Sequence, residues 1–327
     1  MRRTPESAGG GVSWVLREEP DAIATAAARI EEATDLPAAH VEKDFWVTEV
    51  LRGVAQQTAE TGVSAILKGG TSLSKAHGLI KRFSEDVDII VVVPGKSSGS
   101  DDKCLKGFVV AAEATTGLAS VVDPATATKG KKRTAIFGYP TASQSGPLRD
   151  GVLLELGARG GTMPSARRQV TSLIAEHAVS AGFSADFAEA DPVDLYVLAP
   201  VRTLIEKLTI VHHAAEAGDP NQQARLARHY YDIWCLLNDA DTVAALEESP
   251  ADVLAREVVT FTQAAGLETS RRPVAGFAAS PAFNPQKNEP ARDALHTIVL
   301  PELVWPRTPK PSFEECCEIV HGYASVL

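Results

Sequence analysis

Cysteine is scarce: Cys104, Cys235, Cys316 and Cys317 are the whole supply in 327 residues. Two of them are adjacent, and no Cys-x-x-Cys or Cys/His spacing exists. A disulfide framework and a zinc ribbon are therefore not expected, which leaves reduced thiols and a cytoplasmic setting. No apolar run approaches the roughly eighteen residues needed to span a bilayer, so no membrane association is expected. Arg2 and Arg3 have no apolar stretch behind them, so no secretory signal is expected either. The G-x-x-x-x-G-K-[ST] pattern of a P-loop is missing. Positive charge is in deficit, with 32 Lys and Arg against 42 Asp and Glu and a net charge of −10. That balance argues against a general nucleic-acid coat protein but permits a local basic groove on an acidic body.

What is present is ordinary globular material, 44% hydrophobic and 23% charged, enough for one large or two ordinary domains. Residues 21–34 and 38–57 read as helices separated by Asp35-Leu36-Pro37. In the second, Val47, Val50, Leu51 and Val54 recur at i, i+3, i+4 and i+7, one buried stripe. Residues 64–67 read as a strand, 71–78 as a short helix, 87–93 as a strand covered on both faces, and 103–116 as a helix. Strands are expected at 118–122, 134–138 and 151–157. Beyond about residue 192 the text turns helical, with helices at 201–211, 224–237 and 312–327 and a long Pro-, Ala- and Asn-rich loop at 271–290. The expected organisation is an N-terminal leader and helix (1–37), an α/β core with a mixed sheet flanked by helices (38–175), and a mainly helical C-terminal part (176–327).

The chemistry concentrates in Lys68-Gly69-Gly70-Thr71-Ser72-Leu73-Ser74-Lys75 and Arg82-Phe83-Ser84-Glu85-Asp86-Val87-Asp88. Side chains alternate along a strand, so Asp86 and Asp88 share a face about 6–7 Å apart at the backbone. Such a pair suits a divalent metal, and Glu155 on a further strand supplies a third carboxylate, enough for two Mg2+ ions around a triphosphate. The bland alternative makes the Asp pair solvated strand-end acids and pairs Glu155 with Arg159. Gly69, Gly70, Thr71 and Ser72 form a turn whose backbone N–H groups can meet phosphate oxygens. Lys75 either reaches a phosphate or lies on the helix surface. Lys207 and Asp232 on their helices read, by spacing alone, as an ion pair or solvated face. Lys129, Lys131, Lys132 and Arg133 either greet an RNA backbone or a triphosphate tail, or form a solubilising hairpin tip. His212 and His213 read as core or surface histidines.

Together with Val41-Glu42-Lys43-Asp44-Phe45-Trp46-Val47-Thr48, the segment Leu153-Leu154-Glu155-Leu156, Glu206-Lys207-Leu208 and Tyr230-Tyr231-Asp232-Ile233, these motifs resemble the AbiEii/MenT nucleotidyltransferase-like toxins of the DNA polymerase β-type superfamily. The resemblance spans residues 40–240 in order. It implies a toxin of a toxin–antitoxin pair in phage defence or growth control, with a cognate antitoxin as partner. It also implies transfer of nucleotides, pyrimidines in the studied members, from an NTP to the 3′ acceptor end of tRNA, which blocks aminoacylation. By position, Gly70 and Ser72 would touch phosphate, Asp86 and Asp88 would ligate metal, Lys207 would contact the triphosphate and Asp232 would complete the site. Ser84 matches a serine whose phosphorylation inhibits, since a dianion there repels the triphosphate. Two rivals are a protein or aminoglycoside-like hydroxyl as acceptor, and a non-catalytic module that binds a nucleotide or partner.

Overall fold

A computed structural model describes residues 14–327 except 123, 125–126, 142–147, 158–160 and 265. The leader expected over the first dozen residues and Arg159, the partner expected for Glu155, lie outside the described residues.

Seven strands form one mixed sheet: β1 (Ala65–Lys68), β2 (Asp86–Val91), β3 (Ser120–Val122), β4 (Lys132–Phe137), β5 (Val152–Gly157), β6 (Ser165–Val170) and β7 (Val193–Leu198), in the order β3-β4-β5-β2-β1-β7-β6. β2 runs antiparallel to β1 and parallel to β5, and β1 runs parallel to β7. The sheet does not stop near residue 175. β7, in the stretch expected to be helical, has Val193, Leu195 and Val197 buried and Asp194 and Tyr196 exposed. That two-residue alternation marks a strand. β6 has Arg167, Arg168 and Gln169 exposed on the outermost strand, and so carries little apolar signal.

On one side of the sheet lie α1 (Pro20–Thr34), α2 (Ala38–Thr61) and α3 (Ser98–Thr116). Their apolar side chains join Leu67, Val87, Ile89, Val91, Leu154, Leu156 and Val197 in one core. α2 runs four residues longer than expected and is buried along nearly all of its first seventeen residues, well beyond the predicted stripe. The sequence shows one stripe because the other contacts of α2 are polar: Glu42, Lys43, Asp44 and Thr48 are all buried. Helix α3 begins at Ser98, earlier than expected, because Ser97 caps it by accepting from the Ser100 N–H.

A second core is built by α4 (Pro200–Ala217), α5 (Arg228–Leu237), α6 (Ala251–Ala264) and α7 (Phe313–Gly322). The expected helix at 224–237 is broken into Pro220–Arg225 and α5. The expected loop at 271–290 is not loose: short turns at Phe277–Ala279, Pro281–Phe283 and Pro285–Lys287 bury Phe277 and Phe283 completely. His212 is buried there, hydrogen-bonded to Ser280 Oγ at 2.8 Å and to the Arg271 carbonyl at 3.0 Å. All four cysteines are free, and Cys316 and Cys317 are buried in this core. The two halves are stitched together where Phe83 N–H donates to the Leu303 carbonyl and Trp305 N–H to the Lys81 carbonyl.

Candidate active site

Asp86 and Asp88 stand on the sheet face turned away from the α2 core, as the alternation requires, because Val87, Ile89 and Val91 fill the other face. Register extends this polar face sideways. Lys68 is the cross-strand partner of Asp88, Glu155 stands beside Asp88 on β5, and Thr134 stands beside Glu155 on β4. A row of Thr134, Glu155, Asp88 and Lys68 thus crosses four strands. Burial opposes the charge on Lys68, but Glu206, Asp88 and Glu155 outweigh it and raise its pKa.

The glycine turn lies against this row. Gly69 has φ +71°, and a side chain there would stand 2.5 Å from Asp88 Oδ2. A side chain at Gly70 would stand 2.6 Å from Ser84 Oγ and 2.9 Å from Arg82 Nη2. The left-handed backbone favours glycine at Gly69, and a side chain at Gly70 would have to displace Ser84 or the Arg82 guanidinium. Thr71 hydroxyl donates to the Asp86 carbonyl at 2.5 Å, and Ser72 hydroxyl donates to the Gly69 carbonyl at 2.8 Å. These bonds clamp the turn to the start of β2. The helix after it is short and wide, Gly69–Thr71 continuing through Ser72–Ala76.

Burial pushes the Asp86 carboxyl above its usual range; Arg228 and Arg149 oppose that shift and Asp88 reinforces it. Arg149 Nη1 is 3.4 Å from Asp86 Oδ1, and Arg228 Nη2 is 3.7 Å from Oδ2. Arg228 precedes Asp232 by one helical turn, so α5 sends both side chains to the sheet. Asp232 is fully buried and accepts from Arg82 through two nitrogens, each at 2.7 Å, and from Lys207 Nζ at 2.7 Å. Burial alone would raise the Asp232 pKa, but Arg82 and then Lys207 hold it well below the usual carboxylate range. Burial, then Lys207, pushes His229 down to about 3, so its neutral Nδ1 can accept from Lys207 at 3.1 Å.

The structure therefore brings Asp86, Asp88, Glu155, Gly69, Gly70, Thr71 and Ser72 to one place and joins Lys207 to Asp232 in a buried ion pair. Lys75 is neither on the surface nor directed to the turn: its Nζ is 2.5 Å from Asp44 Oδ1. Asp44 also accepts from the Leu173 N–H at 2.7 Å, so the pair ties α2 to the sheet's end. Glu155 meets Lys132 Nζ at 2.9 Å, and Arg133 is held by Asp102 at 3.0 Å. Of the basic cluster, Lys129 and Lys131 are exposed and Lys132 and Arg133 are half-buried. Sequence reasoning missed Arg82, Lys68, Arg149 and Arg228. Arg82 lay inside the quoted motif, and the i,i+4 spacing of Arg228 to Asp232 was visible.

The donor set fits a hard divalent ion such as Mg2+. Two carboxylates share an edge of the turn, and the buried Thr134 Oγ1 beside Glu155 has no hydrogen-bond partner. Among the described residues no three His, Cys, Asp or Glu side chains converge into a ready-made cage. Mg2+ does not need one, since it usually takes one or two carboxylates and completes its shell with water and substrate phosphate.

A family model described as nucleotidyl transferase AbiEii toxin, type IV TA system, matches residues 54–314. Among solved structures, MenT4, a nucleotidyltransferase toxin from Mycobacterium tuberculosis H37Rv, shares the fold with a TM-score of 0.54 and 17% identity. That alignment covers 97% of this chain and 91% of the other. No curated protein matches.

Proposed function

This chain belongs to the AbiEii family of nucleotidyltransferase toxins, and on that premise we propose that it transfers a nucleotide from an NTP to the 3′ acceptor end of a tRNA, so that aminoacylation and translation stop. The carrying observation is the Asp86 and Asp88 pair held against the Gly69-Gly70 turn. Its geometry suits an α-phosphate on the carboxylates and a β,γ-tail on the turn. Asp86 and Asp88, with Glu155 at the acceptor side, are the residues that would hold Mg2+. When bound, the ion neutralises phosphate charge and lowers the pKa of the attacking hydroxyl.

The protein's own groups do the positioning. The turn N–H groups, with Gly70 and Ser72 nearest the tail, orient the triphosphate. Arg149 and Arg228 supply positive charge where pyrophosphate develops negative charge. Asp232 is a positioning residue: it fixes Arg82 behind Gly70 and Lys207 beside His229. Exposed Lys129 and Lys131 would meet the RNA backbone next to Glu155, with Lys132 exchanging its ion pair for phosphate. Ser84 Oγ lies 3.1 Å from Thr71 Oγ1. A phosphoryl group on Ser84 would occupy the phosphate turn, a route by which an antitoxin could silence the enzyme. Among the described residues no helix is long and apolar enough to cross a membrane.

The test is incubation with Mg2+, total tRNA and each α-labelled NTP, with Asp86→Asn in parallel. Label in tRNA that is lost in the variant supports the reading. Label in protein, or none with any NTP, overturns the tRNA assignment.

A further inference from the structure

Beside the carboxylate pair, on the same sheet face, a cavity of about 390 Å³ opens between the sheet and the helical half. Lys68 and Ile90 form its floor. Lys68 is the cross-strand partner of Asp88, and Ile90 follows Asp88 by two residues on the same face. The cavity therefore begins at the strand next to Asp88, on the side opposite Glu155, and is large enough for a base and its ribose.

Its wall sets an aromatic ring against a buried arginine. Arg202 is fully buried, with Nη1 bound to Glu257 at 2.7 Å, yet its Nε and Nη2 have no hydrogen-bond partner. The nearest carboxylate oxygen to Nε, Glu206 Oε1, is 3.6 Å away. Glu206 and Glu257 balance the Arg202 charge, and the guanidinium, closed off from solvent, supports the groups packed on it. Gly161 lines the same wall, and a side chain there would overlap Arg202 Nη2. Phe261, 39% exposed, stands at the rim with the Arg202 guanidinium 5.8 Å from its ring centroid. An aromatic ring backed by arginine is a stacking platform for a nucleobase. Gln222 adds an amide that can both donate and accept.

We infer that this cavity is the nucleoside pocket: Phe261, backed by Arg202, stacks the base of the donor nucleotide, and Gln222 reads the base edge. The assignment rests on the nucleotidyltransferase reading and adds where donor selectivity resides. It leaves Glu155 and the basic hairpin to the acceptor RNA.

The experiment is equilibrium binding, in Mg2+, of the intact protein to non-transferable analogues of the four NTPs and to inorganic tripolyphosphate. The best analogue should bind about tenfold or more tighter than tripolyphosphate, the size of one base–aromatic stack. Phe261→Ala should erase that margin without changing tripolyphosphate affinity or the melting temperature, and Phe261→Tyr should restore it. Gln222→Ala should change the ranking of the four analogues. A margin that survives Phe261→Ala overturns the pocket assignment. So does equal binding of analogue and tripolyphosphate, which leaves the phosphate site standing. Failure of both ligands to bind overturns the nucleotidyltransferase reading and the pocket with it.

Discussion

Strand β2 presents one face to each half of the molecule. Val87, Ile89 and Val91 are buried in the α2 core, while Asp86 and Asp88 look out toward the helical half across a line of charged neighbours. On the first face, contact is apolar and shape alone matters. On the second, Arg149 and Arg228 stand 3.4 and 3.7 Å from Asp86, and Arg82 and Lys207 each stand 2.7 Å from the buried Asp232. The contrast shows where stability has been given up. A face built for folding alone would not place like-charged Asp86 and Asp88 side by side; burial raises the Asp86 pKa, and the Asp88 charge adds to that rise.

Substitutions that treat the two faces alike should have opposite results. The largest effect is expected for Asp86→Asn, which should cut transfer by about a hundredfold or more while the melting temperature holds or rises; a melting curve shifted downward would mean that the polar face is structural. Next comes Asp232→Asn, which leaves Arg82 and Lys207 buried without their full counter-charge and should cost about 3–5 kcal/mol in urea unfolding. Because the Asp232 pKa is depressed in the folded state, its contribution is complete above the ordinary carboxylate pKa. The gap between wild type and variant should narrow only as pH falls below about 4 and through the folded value. On the apolar face, Leu154→Ala should cost about 2–5 kcal/mol yet leave transfer per folded molecule unchanged.

Glu49, buried on the α2 side, sharpens the comparison because its polarity serves no site. Burial raises it to about 7, against the pull of Arg52. Its folded form holds a proton that the unfolded chain releases, so it detracts from stability as pH rises from about 4.5 to 7. Glu49→Gln should therefore gain roughly 1–3 kcal/mol at pH 8 and nothing at pH 4, measured by denaturation at the two values. The smallest effect is expected for Lys132→Ala. That ion pair is half exposed, so stability should change by less than about 1 kcal/mol. The tRNA KM should rise and its salt dependence flatten, and an unchanged KM would remove Lys132 from the acceptor site.

Periodicity made much of this legible. Asp86 and Asp88 share a face because strands alternate, and Gly69-Gly70 marks a turn because glycine takes a left-handed backbone without strain. The motif order pointed to the family that the model match establishes. Other parts were hidden. β6 escaped because an exposed edge strand of Ser, Arg and Gln has no apolar rhythm, and 271–290 escaped because short turns that bury two phenylalanines look like loop. The Lys75–Asp44 ion pair is invisible in the sequence because the two residues lie 31 apart on different elements.

The sequence by itself determined the local chemistry: the turn, the carboxylate pair and the helices, each set by residues within a few positions of one another, and the order of motifs that carries the family resemblance. Only the tertiary structure decided which charges meet. Arg82 reaches Asp232 across 150 residues, Glu155 faces Lys132, and Lys68 sits between Asp88 and Glu206. Spacing along the chain carries no information about such pairs, because what fixes them is strand register and the docking of the helical half onto the open face of the sheet.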